Sequence, residues 1–259
     1  MEEKQIEIGG IPVAYKIYGA GAPVLILHGW GGGSASWVKV SSLIAEKGFQ
    51  VICPDLPGFG KSGEPKEPWN IEQYLKFLGR LVEELNLKSF FLVGHSLGGG
   101  LALAFSARNS RSVRMLVLCD AAVIRKERLD WRQSCAKKMA LAKKLFIKLP
   151  LAGGIIPLAQ KIIYKIAGVQ DYHKASPIMK KTFDNIIKED LQKYAGLIKI
   201  PVLIVWGERD KSTPVEDAYV LQHLINGSRI EIIENVGHNS HRQAPVKIAE
   251  TIMDFIKTK

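Results

Sequence analysis

The sequence predicts an α/β protein in which a mostly parallel sheet of eight strands is covered by helices on both faces. Short apolar runs alternate along the chain with segments whose apolar residues recur at helical spacing. Such alternation is typical of parallel sheets, because parallel strands are joined by crossover helices. The runs that predict strands are residues 5–8, 13–18, 24–27, 51–53, 90–93, 115–119, 201–206 and 230–233.

The first half of the chain opens with a predicted hairpin and continues with alternating strands and helices. Gly9-Gly10 joins the first two strand runs, which indicates an antiparallel edge to the sheet. Residues 36–46 predict a helix between the third and fourth strands. Asn70 is the expected N-cap of the next helix, and Gln73 three residues later completes a capping box.

The second half resumes the pattern with the strand at residues 201–206. The run Thr213-Pro214-Val215-Glu216 has the form of a capping box with proline at the first helical position. It therefore predicts a helix that runs to Leu224. Residues 245–256 predict a closing helix after the last strand.

The composition is that of an ordinary globular chain. Of its 259 residues 47% are hydrophobic and the mean hydropathy is +0.04, so one sizeable core is expected. The charged start and the lack of a long apolar run predict neither a signal peptide nor a transmembrane helix. The three cysteines show neither disulfide nor metal spacing. We expect a cytoplasmic protein that needs no metal or organic cofactor.

The net charge of +11 lies in one internal segment. Residues 123–199 hold 17 basic and 6 acidic side chains, whereas the rest of the chain holds 19 of each. This segregation suggests a separate structural unit. Within it, residues 155–167 place their apolar side chains on one helical face, and an earlier helix carries Lys137, Lys144 and Lys148 along one side.

The stretch that carries chemistry is residues 94–98, Gly-His-Ser-Leu-Gly, between a buried strand and a tightly packed helix. A turn of this kind holds the serine oxygen above the sheet edge, and a Cβ on Gly94 or Gly98 would clash there. The N-terminus of the following helix would favour negative charge that develops beside the oxygen. We therefore interpret Ser96 as a nucleophile.

Two further residues that follow predicted strands complete a set suited to serine catalysis. His238 is the expected base, and Asp210 is expected to hold its tautomer and to stabilise the imidazolium. Because strand ends converge on one edge of an open α/β sheet, these residues and Ser96 are expected to meet there. Asp120, which also follows a strand, is an alternative acid, and His241 is an alternative base.

Five motifs in a fixed order make residues 13–256 resemble the α/β-hydrolase family with an inserted cap. The motifs are His28-Gly29-Trp30-Gly31, the run from Asp55 to Ser62, the run from Gly94 to Gly99, Gly207-Glu208-Arg209-Asp210, and Gly237-His238 with Pro245 seven residues on. The resemblance implies a core of residues 1–122 and 200–259 and a basic helical cap at 123–199. It also implies the triad named above and an oxyanion hole made by the backbone N–H groups of Trp30 and Leu97.

The resemblance further implies a serine hydrolase that cleaves carboxylic esters with short- to medium-chain acyl or aryl groups. Its partner would be a small-molecule ester. Serine at position 96 argues against the epoxide hydrolases and haloalkane dehalogenases, which carry aspartate there. A C–C bond hydrolase of the meta-cleavage-product type is an alternative, although those enzymes commonly carry Asn where this chain has His95. A second alternative is a small-molecule receptor that keeps the triad but turns over its ligand slowly.

Substrate contacts are expected from Gly29, His95, Met139 and Phe146. The basic cap has three interpretations: a solvated face of amphipathic helices, a surface that steers anionic substrates, or one that docks on an anionic membrane. Nucleic-acid binding is not expected, because the sequence contains no recognised module and few interleaved aromatic residues.

The steering interpretation predicts that salt acts differently on charged and neutral substrates. For an anionic ester, kcat/KM is expected to fall as salt rises, because the field of exposed lysines reaches only about 10 Å at ~0.1 M salt. A neutral ester of equal size should not respond, and kcat should hardly change for either. Replacing Lys137, Lys144 and Lys148 together by Glu should remove the difference. Equal salt responses of the two esters in the unaltered protein would contradict steering.

Overall fold

The predicted strands form one eight-stranded sheet in a computed structural model, which describes residues 1–124 and 175–257. The strands are β1 (Glu2–Ile8), β2 (Ile11–Tyr18), β3 (Ala22–Leu27), β4 (Phe49–Pro54), β5 (Phe90–His95), β6 (Val113–Cys119), β7 (Val202–Gly207) and β8 (Arg229–Ile233). Their order across the sheet is β1-β2-β4-β3-β5-β6-β7-β8. Strand β2 pairs antiparallel with both β1 and β4, and the remaining neighbours pair parallel, which confirms the predicted fold class.

Helices follow most of the strands. They are α1 (Val38–Ala45), α2 (Ile71–Glu84), α3 (Leu97–Arg108), α4 (Pro177–Ile186), α5 (Glu216–Leu224), α6 (Ser240–Gln243) and α7 (Pro245–Ile256). Short 3-10 helices cover Ser34–Trp37 and Gln192–Leu197. Within the part of the chain that the structure describes, no helix combines the length and the apolar character needed to cross a bilayer.

Alternating side chains of the strands divide the core into two layers. On β5, Phe90 and Leu92 pack into the layer that α2 and α3 cover, whereas Phe91 and Val93 pack into the layer that α1 and α7 cover. Successive residues of a strand point to opposite faces of the sheet, so a strand covered on both sides must be apolar along its whole length. This explains why the central strands appear in the sequence as continuous apolar runs.

The start of α2 is as predicted. The backbone N–H of Gln73 donates to Asn70 Oδ1 at 3.1 Å, and the backbone N–H of Asn70 donates to Gln73 Oε1 at 2.8 Å. Each side chain thus satisfies a backbone donor of the other residue, which is the reciprocal pattern of a capping box.

The start of α5 differs from the prediction. The helix begins at Glu216, and its N-cap residue, Val215, makes no side-chain cap. The hydroxyl of Thr213 donates instead to the buried carboxylate of Asp210 at 2.6 Å. The predicted capping box over residues 213–216 is therefore wrong, because Asp210, three residues before Thr213, binds the hydroxyl that the pattern assigned to the helix.

Helix α4, at the described end of the predicted cap, packs on the core. Met179 and Ile186 are buried in the same layer as α2 and α3. Thr182 Oγ1 accepts the backbone N–H of Trp69 at 2.9 Å, and the side-chain amide of Asn185 donates to the Trp69 carbonyl at 3.3 Å. These contacts attach α4 to the loop that precedes α2.

The other predictions for the basic segment concern residues 125–174, which lie outside the described part of the chain. They include the substrate contacts of Met139 and Phe146, the three lysines of the salt prediction and the apolar face at residues 155–167. The proposed boundaries of the cap at residues 123 and 199 stay predictions.

Candidate active site

The turn between β5 and α3 holds Ser96 in a backbone conformation that residues other than glycine rarely adopt. Its φ is 51° and its ψ is −115°. A Cβ on Gly94 would lie 2.3 Å from the Gly98 carbonyl oxygen, and one on Gly98 would lie 2.3 Å from the carbonyl oxygen of Leu27 in β3. The two glycines therefore permit the close packing of α3 against the sheet that holds Ser96 in this turn.

Three side chains from different strand ends meet at this turn. Ser96 Oγ lies 3.0 Å from Nε2 of His238, and His238 Nδ1 lies 2.8 Å from Oδ2 of Asp210. Because an ionised carboxylate only accepts hydrogen bonds, Nδ1 carries a proton and Nε2 presents its lone pair to the serine hydroxyl. Such a chain of hydrogen bonds can move a proton from serine to histidine while the carboxylate stabilises the resulting cation.

The carboxylate of Asp210 is held by four donors. Its Oδ1 accepts the backbone N–H groups of Ser212 at 2.7 Å and Thr213 at 2.9 Å. Its Oδ2 accepts the Thr213 hydroxyl at 2.6 Å in addition to His238. The sequence analysis missed this function of Thr213, since it interpreted the residue as a helix cap. The available signal was a hydroxyl residue three positions after an aspartate at a strand end.

The loop after β3 lies directly against the serine. A Cβ built on Gly29 would be 3.0 Å from Ser96 Cβ, so the backbone of Gly29, which directly precedes Trp30, lies beside the nucleophile. Leu97 is the first residue of α3, and its backbone N–H therefore has no partner within the helix. The backbone N–H groups of Trp30 and Leu97 are the two that the family resemblance implies as an oxyanion hole.

Three aromatic rings form a wall next to this loop. The indole of Trp30 meets the ring of Phe59 edge-on at a centroid distance of 4.8 Å and that of Phe183 at 4.9 Å. Phe59 belongs to the loop after β4, and Phe183 belongs to α4. This aromatic wall (Trp30, Phe59 and Phe183) joins three segments that are distant in sequence.

Buried hydrogen bonds hold the loops after β3 and β4 in place. His28 Nε2 accepts the backbone N–H of Leu56 at 2.9 Å, and its Nδ1 donates to the carbonyl of the following residue at 2.8 Å. Burial lowers the pKa of His28, which keeps the ring neutral as this pair of contacts requires. Asp55 accepts the backbone N–H groups of Ser34 at 2.6 Å and Lys61 at 2.8 Å.

The alternative acid, Asp120, has different partners. Its Oδ1 accepts the backbone N–H of Gly207 at 2.8 Å, and its Oδ2 accepts that of Ser240 at 3.3 Å. The side chain is fully buried, and burial raises the pKa of Asp120 to about 7. Asp120 thus links the end of β7 to the loop after His238, whereas Asp210 contacts the imidazole itself.

The alternative base, His241, stacks on the ring of Trp37 with centroids 4.5 Å apart. Its ring is buried, and neither nitrogen has a hydrogen-bond partner among the described residues. Burial lowers the pKa of His241 to about 3, so the ring is neutral near pH 7. It therefore has neither the carboxylate partner nor the hydroxyl partner that His238 has.

Two of the four predicted substrate contacts, Gly29 and His95, can be placed. Gly29 lies against Ser96, as the distance above shows. His95 lies behind the nucleophile: it is 4% exposed, and its Nε2 is 2.7 Å from the carbonyl oxygen of His238. A ring buried in this way offers no surface to a substrate, so its position differs from the one predicted.

The described residues hold neither a cluster of three or more His, Cys, Asp and Glu side chains that could bind a metal ion nor an exposed thiol. Cys53 and Cys119 are both buried. Burial raises the pKa of both thiols, that of Cys53 to about 12. They are therefore packing groups rather than nucleophiles.

Comparisons with known proteins agree with this architecture. Residues 22–143 match the family described as alpha/beta hydrolase fold. An uncharacterised protein of Mycobacterium tuberculosis is 26% identical, over 97% of this chain and 80% of its own length. The monoacylglycerol lipase ABHD6 of Mus musculus is 27% identical, over 90% of this chain and 75% of its own length.

A solved structure shares this fold. The esterase EaEST from Exiguobacterium antarcticum superposes with a TM-score of 0.80 at 23% identity, covering 99% of this chain and 100% of that one. The strand order and the elbow between β5 and α3 agree with the family match. The chain is therefore an α/β-hydrolase-fold protein that is similar to esterases and lipases.

Proposed function

We propose that this protein is a serine hydrolase that cleaves carboxylic esters with short- to medium-chain acyl or aryl groups. The observation that carries the proposal is the pair of contacts at His238, 3.0 Å to Ser96 Oγ and 2.8 Å to Asp210 Oδ2. A serine hydroxyl is a weak nucleophile until a base takes its proton, and an imidazole oriented by a carboxylate is suited to that task.

In the first half-reaction, Ser96 Oγ attacks the ester carbonyl carbon as its proton passes to His238 Nε2. Negative charge develops on the carbonyl oxygen, to which the backbone N–H groups of Trp30 and Leu97 would donate. His238 then gives its proton to the leaving alcohol as the C–O bond breaks. The acyl group remains on Ser96 as an ester.

In the second half-reaction, water takes the place of the alcohol. Its oxygen attacks the acyl carbon as His238 accepts a proton from it, and His238 returns a proton to Ser96 Oγ as the acyl bond breaks. Asp210 holds the ring and stabilises the imidazolium in both halves. The products are a carboxylic acid and the free serine.

Two observations support an ester with an apolar group on the acyl side. The aromatic wall stands next to the loop whose N–H would bind the oxyanion, so it would face the group attached to the ester carbonyl. The mouse relative is named a monoacylglycerol lipase, which supports an ester as the class of substrate.

Replacing Ser96 by Ala should abolish turnover of p-nitrophenyl esters and leave the fold intact, because only the nucleophilic oxygen is lost. His238→Ala should be comparably severe, and the double variant no worse than either, because nucleophile and base act as one unit. Initial rates on the acetate, butyrate and octanoate esters measure the loss, and the unaltered protein gives the acyl preference.

Thermal unfolding curves verify that each of these variants is folded. Activity of a folded Ser96→Ala protein within about tenfold of the unaltered protein would contradict the assignment of the nucleophile. A dienoic ring-fission acid serves as the competing substrate. If the unaltered protein turns it over faster than every ester, C–C bond hydrolysis replaces ester hydrolysis as the function.

Asp210→Asn should lower kcat by roughly 10³- to 10⁴-fold with little change in KM, because the amide favours the wrong tautomer of His238. Asp120→Asn should cost far less, since that carboxylate contacts backbone N–H groups rather than the ring. Each substitution replaces one buried carboxylate by an amide of the same size, so each variant is the control for the other. Steady-state kinetics decide, and the reverse ranking would transfer the role of the acid to Asp120.

Thr213→Val keeps the branched shape of the side chain but removes one of the four donors on Asp210. We expect kcat to fall about tenfold, equivalent to ~1.4 kcal/mol, with KM unchanged. Thr213→Ser keeps the hydroxyl and is the matched control, expected to retain the unaltered kcat. If the two variants have the same kcat, the hydroxyl does not position the carboxylate.

A further inference from the structure

The imidazole of His95 holds the backbone of the proposed base. His95 Nε2 lies 2.7 Å from the carbonyl oxygen of His238, which is 143 positions away in the sequence. A carbonyl oxygen only accepts hydrogen bonds, so Nε2 carries the proton and donates it. The residue next to the nucleophile thus binds the residue that would activate the nucleophile.

His95 makes this contact as a neutral ring. Burial and the neighbouring rings of His241 and His238 hold the pKa of His95 well below its usual range. Asp120 Oδ2 lies 3.8 Å from the same nitrogen, but burial raises the pKa of Asp120 to about 7. An uncharged imidazole cannot form an ion pair, so the contact is not one, whichever form the carboxyl group takes. His95 therefore adds no positive charge next to an imidazolium on His238.

The turn between β5 and α3 contacts His238 at two points. Ser96 Oγ contacts Nε2 of its ring, and His95 contacts its carbonyl oxygen. Without the second contact, the ring would follow any movement of its own backbone, and a misplacement of about 1 Å costs on the order of 100-fold in rate. The His95 ring is itself tightly packed, because a Cβ on Gly29 would lie 2.8 Å from its Nδ1.

We propose that His95 is a positioning residue, which holds the His238 backbone so that Nε2 stays within hydrogen-bond reach of Ser96. The inference rests on the proposed serine hydrolase function and replaces the substrate contact that the sequence predicted for His95. Asp120 holds the same loop two residues further on, through the backbone N–H of Ser240.

Two variants of nearly equal shape separate the hydrogen bond from packing. Gln can donate a side-chain N–H to the His238 carbonyl, whereas Met has a similar length and no donor. The rate at which a fluorophosphonate probe labels the protein measures the reactivity of Ser96 with His238 as its base, and it does not require the natural substrate. In this reaction Ser96 Oγ bonds to phosphorus, fluoride leaves and the serine proton passes to His238. We expect His95→Met to be labelled about tenfold more slowly than the unaltered protein, and His95→Gln within about threefold of it.

Kinetics on p-nitrophenyl butyrate give a second measurement. We expect kcat of His95→Met to fall at unchanged KM, with rescue by Gln. A merely structural role would instead lower the unfolding temperature and affect both variants alike. His241→Phe is the control, because the His241 ring lies 4.4 Å from that of His95 but makes no hydrogen bond with another described residue. It should keep the unaltered labelling rate.

If His95→Met does not fold, His95→Asn takes its place, because its amide is too short to reach the carbonyl. Equal labelling rates in the unaltered protein and in the variant without the hydrogen bond would overturn the inference. Equally slow labelling of the Gln variant and the variant without the bond would overturn it too. Failure to label Ser96 in the unaltered protein would overturn the proposed function and this inference together. Labelling without ester turnover would overturn the substrate class alone, and the comparison of labelling rates would still decide the role of His95.

Discussion

The close approach of α3 to the sheet is the constraint on which the geometry of this edge depends. A Cβ on Gly98 would lie 2.3 Å from the Leu27 carbonyl oxygen, so the helix sits nearer to β3 than any side chain would permit. The strained backbone of Ser96 follows from this approach, because the chain has to turn from β5 into the helix within one residue. The same turn leaves the first N–H of the helix, that of Leu97, without a partner within the helix.

Buried aspartates then hold the surrounding loops in place. A buried carboxylate is tolerated only when it is fully hydrogen-bonded, so each of these residues gathers backbone N–H groups and thereby orders its loop. Only one of the three, Asp210, also lies within hydrogen-bond distance of an imidazole, that of His238. The donors are Ser34 and Lys61 for Asp55, Gly207 and Ser240 for Asp120, and Ser212 and Thr213 for Asp210.

The sheet and the meeting of Ser96, Asp210 and His238 could be predicted because their signals are local. Apolar runs mark the strands, glycines mark the elbow, and strand ends share one edge. The functions of Thr213 and His95 were not predicted. Thr213 carries the local pattern of a helix cap, but a charged acceptor binds its hydroxyl more strongly than a helix end does. The partner of His95 is a backbone oxygen in a distant loop, and no local pattern marks it.

The four histidines at this edge show how burial separates residues of one type into different functions. His28, His95 and His241 are at most 4% exposed, and burial lowers the pKa of each, so they act as neutral groups. The side chain of His238 is 21% exposed and lies between a carboxylate and a serine hydroxyl. A proton taken from that hydroxyl is stabilised on His238 by the carboxylate, whereas on any of the other three rings it would be a buried charge without a hydrogen bond to a carboxylate of the described residues. The proton transfer of the proposed reaction is thereby confined to one of the four rings.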